Sequence, residues 1–102
     1  MSGTRRQVRI APEFFDDLDR QLGHERGPGG EPSVHDFEVH ELLSIVEVFA
    51  TSFDHLPAHI PGRRDYRVLM AAGSLVPRFA VVGQLARDGA VELVQVDLDL
   101  GS

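Results

Sequence analysis

The sequence predicts an α+β fold, an antiparallel sheet with a two-helix hairpin packed on one face, in the order β-α-α-β-β-β. Three observations carry that prediction. Between Tyr66 and Leu100 lie three short alternating apolar runs separated by turn residues, the pattern of successive antiparallel strands. Between Pro12 and Asp54 lie two amphipathic segments, with apolar residues three and four apart, divided by a break rich in glycine and proline. Once the strands are paired, one face of the sheet is apolar and needs the helices as its cover.

Each element has its own local reason. Met1 to Arg5 are small and polar and read as a frayed end. From Arg6 to Ala11 the chain alternates, with Val8 and Ile10 on one side and Gln7 and Arg9 on the other, which predicts a short strand. Pro12 suits a first helical position, and Glu13, Asp16 and Asp17 match the positive end of the helix dipole. Phe14, Leu18 and Leu22 then form an apolar stripe up to Gly23. The segment from Gly23 to Pro32 is a loop, because its glycines and prolines oppose both helix and strand. Ser33-Val-His-Asp36 is a capping box in its Asp form, predicting a second helix that runs to about Asp54 before Pro57 stops it. Val39, Leu42, Leu43, Val46, Phe49, Ala50 and Phe53 are its expected core face. Ile45 and Val48 widen that stripe onto a flank expected to be exposed, where they would mark a homodimer or partner contact. His55 to Gly62 reads as an irregular connection.

The closing meander fixes the faces. Asp88-Gly89 suits a two-residue type I′ turn, which would set Leu85 against Glu92, Gly83 against Val94, Val81 against Val96 and Phe79 against Leu98. The other face would pair Arg78 with Asp99, Ala80 with Asp97, Val82 with Gln95 and Gln84 with Leu93. A slip of one residue would mix the two sets.

Composition excludes several function classes. The chain has 102 residues, 42% hydrophobic and 25% charged, the make-up of one globular domain spanning residues 1–102. Absence of cysteine removes disulfides, thiolate metal sites and thiol nucleophiles. No apolar run approaches the roughly 20 residues of a membrane span, and the expected location is cytoplasmic. Net charge is −6 and every basic residue is an arginine, a balance that withholds long-range steering toward nucleic acid. Acidic residues of the first helix read as a solvated face. His40 with Glu38 and Glu41, and His55 with His59 across Pro57, lack the converging geometry of a metal site. No metal or cofactor is expected.

The order and spacing of these elements resemble the RelE/ParE superfamily of toxins from bacterial type II toxin–antitoxin systems. The resemblance covers most of the chain: the Val8/Ile10 strand, the helix after Pro12, the longer helix, and two strand motifs. Asp65-Tyr66-Arg67-Val68-Leu69 is similar to the family's Tyr-Arg strand opening, and Ala90-Val91-Glu92-Leu93-Val94-Gln95-Val96 to its penultimate apolar strand. It implies either ribosome-dependent mRNA cleavage or inhibition of DNA gyrase, with neutralisation by an antitoxin that wraps the sheet and helices. For the nuclease branch it implies a metal-independent ribonuclease, with Arg67 and Arg78 as catalytic residues and Arg63 and Arg64 as substrate-binding ones. These would orient a phosphate and stabilise developing charge. Nuclease members carry a basic residue after the last apolar strand, where this chain has Asp97 and Asp99. The first expectation is therefore a toxin-fold protein acting by protein contact, on a small antitoxin-like partner and on a replication or translation target. The alternatives are the mRNA endonuclease and a non-toxic interaction or dimerisation domain.

Overall fold

Ten elements follow from these local preferences in the computed structural model, which describes residues 5–100. The expected fraying of Met1 to Arg5 lies outside the described residues except at Arg5, whose guanidinium hydrogen-bonds to Glu47. Strand β1 (Val8–Ile10) leads into helix α1 (Pro12–Gln21). Helix α2 (Val34–Phe37) continues through a π turn (Glu38–Leu42) into α3 (Leu43–Ser52), then a 3₁₀ turn (Phe53–His55). Strands β2 (Ala58–Ile60), β3 (Arg63–Ala71), β4 (Arg78–Leu85) and β5 (Val91–Asp99) complete the chain. Both helical units match their predicted spans closely, and the α+β class holds.

The sheet has five strands in the order β1-β5-β4-β3-β2. It differs from the expected antiparallel sheet in two ways. Strand β1 runs parallel to β5, with Val8 beside Val91 and Ile10 beside Leu93; the Val91 amide donates to Gln7 and the Ala11 amide to Leu93. The segment expected to be an irregular connection supplies β2, antiparallel to β3. Proline flanks it as Pro57 and Pro61, so it stays three residues long, and His59 sits on a strand.

The long helix starts as predicted. Ser33 Oγ accepts from the Asp36 amide at 3.1 Å, and Asp36 Oδ2 accepts from the Ser33 amide at 3.0 Å. The Ser33 amide, and then the Arg26 guanidinium, hold the Asp36 carboxyl down at about 2. Its buried stripe, however, is Phe37, Glu41, Ile45, Phe49 and Phe53. The even four-residue spacing is accommodated by the π turn, which needs more residues per turn than an α-helix. Ile45 is 1% exposed, whereas Val39 is 55% and Leu43 75% exposed. Of the expected core face, Phe49, Ala50 and Phe53 are buried and Leu42 and Val46 pack against the core, whereas Val39 and Leu43 point outward, and Ile45 is core rather than interface. Glu41 misled the reading, because an acid in the middle of a core stripe makes the true stripe look broken.

Register in the meander is as expected from Arg78–Asp99 to Val82–Gln95 and shifts by one beyond it, to Gly83–Leu93, Gln84–Glu92 and Leu85–Val91. Val94 is the extra residue of a β-bulge. The cause is the turn. Within it only Gly89 has positive φ, at 89°; Asp88 does not, as no non-glycine residue does among the described residues. The Gly89 amide donates to Ala86 and the Ala86 amide to Ala90, giving a three-residue loop with glycine at the bulge position instead of the type I′ turn. The shift carries Leu93, expected on the outer face, to the helix side, where it is fully buried. There Phe14, Leu18, Phe37, Ile45 and Phe49 pack on Val81, Val91, Leu93 and Val96. Gly83 leaves room for the Phe49 ring: a Cβ there would lie 2.5 Å from it.

Candidate functional site

Alternation of β3, β4 and β5 builds an outer sheet face, opposite the helices. Pairing sets Tyr66 beside Gln84, Val68 beside Val82 and Met70 beside Ala80, and continues from Val82 to Gln95, Ala80 to Asp97 and Arg78 to Asp99. The centre is apolar: Val82 is buried and Val68 and Ala80 are half-buried, while Met70 is 75% exposed. A groove of about 460 Å³ opens at this end, lined by Met70, Arg78, Ala80, Asp97 and Asp99 among others. The Asp97 side chain has no hydrogen bond or ion pair among the described residues. Arg78 Nε lies 3.9 Å from Asp99 Oδ2, both side chains well exposed, a geometry worth little in water.

The four arginines singled out in the sequence do not converge. Arg78 stands on the outer face. Arg67 pairs with Gly83 and so faces the helix side, where it works as a staple. Its Nε donates to the Arg64 carbonyl and its Nη1 to the Leu56 carbonyl, each at 2.8 Å. Its guanidinium lies 5.7 Å from the Phe53 ring centroid. Those bonds tie the end of the long helix to β3. Arg63 grips Asp65 with two hydrogen bonds and covers the Tyr66 ring at 4.9 Å. The hydrogen bonds from Arg63 hold the Asp65 carboxyl below its usual range. Arg64 is exposed, without a side-chain partner among the described residues. A phosphate bound to Arg78 would lie across the sheet from Arg67.

One sheet edge is closed to an added strand, and the other is covered over part of its length, where β2 pairs with β3 between Arg63 and Arg67. Beyond Leu93, where β1 ends, α1 lies against β5 and its side chains act as a substitute strand. Asp17 Oδ2 accepts from the Val96 amide at 3.1 Å. Gln21 donates to the Val96 carbonyl at 2.8 Å and accepts from the Leu98 amide at 2.7 Å. Asp17, expected on a solvated face, is buried and ion-paired with Arg20. At the far edge β2 is short and bounded by prolines, two features that blunt strand addition.

A second cluster holds the loop between β3 and β4. Glu41 is 5% exposed. It accepts from the amides of Ser74, Leu75 and Val76 and from the Ser74 hydroxyl, at 3.0–3.2 Å. Burial alone would raise its carboxyl, but these donors, led by the Leu75 amide, outweigh burial and hold it below its usual range. The carboxylate fills a backbone nest that could otherwise take an anion. Gly73 admits it: a Cβ there would overlap Glu41 Oε2.

Sequence reasoning had placed Met70 in a strand without assigning it a role; the alternation of Tyr66, Val68 and Met70 was the available signal. Glu41 had no such signal, since its partners are 33 to 35 residues away. Among the described residues, no group of three or more His, Asp or Glu is placed to hold a metal ion, and no helix is long and apolar enough to cross a membrane. Compared with protein-family models, curated proteins and solved structures, the chain matches none of them.

Proposed function

We propose that this chain is a RelE/ParE-like toxin-fold protein that works by protein–protein contact, with a small antitoxin-like partner docking on its outer sheet face. One observation carries the reading: the outer face is apolar at its centre and offers an exposed Met70 beside an open groove. Covering such a methionine is worth about 1.5–3 kcal/mol, and its adaptable side chain suits a protein surface. A ribonuclease on this scaffold has less support. Arg67 is committed to carbonyl oxygens on the helix side, and Arg78 shares its face with Asp97 and Asp99.

The test is expression alone and together with any short, antitoxin-sized protein that a neighbouring reading frame encodes. The expected result is growth arrest by the chain alone, relief by co-expression, and a stable purified complex. Absence of both arrest and complex would overturn the reading. Arrest accompanied by mRNA cleavage that disappears in Arg78→Ala would favour the ribonuclease instead.

A further inference from the structure

Building on that protein-contact reading, we infer that the segment seated on the outer face is basic and amphipathic, with apolar side chains over Met70 and lysine or arginine along the β5 border. The occupant is placed across the face because Asp17 and Gln21 plug the β5 edge and proline-bounded β2 pairs with β3 between Arg63 and Arg67. The floor it meets is Val68, Met70, Ala80 and Val82. Its wall on one side is Asp97 and Asp99, the first without a side-chain partner among the described residues and the second 3.9 Å from an exposed Arg78. An acidic segment would set like charges against this wall, which complementary interfaces avoid. RNA would do the same with its phosphates. The net charge of −6 steers the same choice at long range, drawing cationic partners and repelling anionic ones. Arg78 then turns outward to meet an acid or backbone carbonyl of the partner, because its pairing with Asp99 is long and solvent-screened.

The inference is tested on the full chain with two synthetic helical peptides sharing one leucine pattern, one lysine-rich and one glutamate-rich. Binding is followed by methyl and amide NMR shifts. The lysine-rich peptide is expected to shift the Met70, Ala80 and Val68 methyls. Asp97→Asn with Asp99→Asn should weaken it about fivefold or more. Met70→Glu should weaken it further, and Leu43→Glu should leave it unchanged. Equal binding of the glutamate-rich peptide, or of a single-stranded RNA oligonucleotide, at this face overturns the inference. So do shifts centred on Val39 and Leu43, or no binding of the lysine-rich peptide. Such results leave the protein-contact reading to its own co-expression test.

Discussion

At the scale of single residues, the most consequential side chain is a buried carboxylate. Glu41 holds the β3–β4 loop through four donors, and that loop sets the end of the sheet on which Met70 and Arg78 stand. Glu41→Ala would strand three loop amides and is expected to cost about 3 kcal/mol in urea unfolding. The pH dependence has a definite sign. Glu41 and Asp36 both have folded pKa values below their ordinary ones, 4.5 and 3.8. Their contributions are therefore complete above those values and are lost as pH falls through the folded ones, down to about 2 for Asp36. Thermal midpoints should fall on acidification below pH 4.5, with a shallower slope in Glu41→Ala. A slope unchanged by the substitution would count against this role. Gly83 tests the packing on the other side of the sheet. Gly83→Ala drives a methyl into the Phe49 ring and is expected to cost about 1–3 kcal/mol by the same assay.

At the scale of elements, legibility followed the range of the interactions. Capped helix starts and alternating strands depend on neighbours in sequence, so the Ser33–Asp36 box and the three meander strands could be read directly. The buried face of the first half of the long helix could not, because it depends on Glu41 finding amides on a distant loop. Register failed halfway along one hairpin: Asp88-Gly89 correctly marked a turn, yet Arg87 joined it, and one added loop residue became the Val94 bulge. The candidate site was partly legible: Arg78–Asp99, Ala80–Asp97 and Val82–Gln95 pair as expected, whereas Gln84 meets Glu92 instead of Leu93 and Arg67 lies on the helix side, away from Arg78. The edge plug was invisible for another reason, as Asp17 and Gln21 look like ordinary polar helix residues. Asp17→Ala with Gln21→Ala should expose the β5 edge. Faster amide exchange at Val96 and Leu98 is expected, with concentration-dependent association through the freed strand; unchanged exchange would refute the plug.

At the scale of the whole molecule, the helices cover one sheet face, Asp17 and Gln21 plug the β5 edge, and the other face is the one on which the proposed partner would dock. Leu43 and Val39 form a separate apolar ridge on the back of the long helix, so the two surfaces can be set against each other. The decisive measurement is calorimetric titration of the partner identified by co-expression into wild type, Met70→Glu and Leu43→Glu, each first shown to keep its fold. Docking on the sheet requires Met70→Glu to weaken binding by about tenfold or more, the worth of one buried apolar anchor, with Leu43→Glu near wild type. Tight binding by Met70→Glu, with loss of binding in Leu43→Glu, would contradict it.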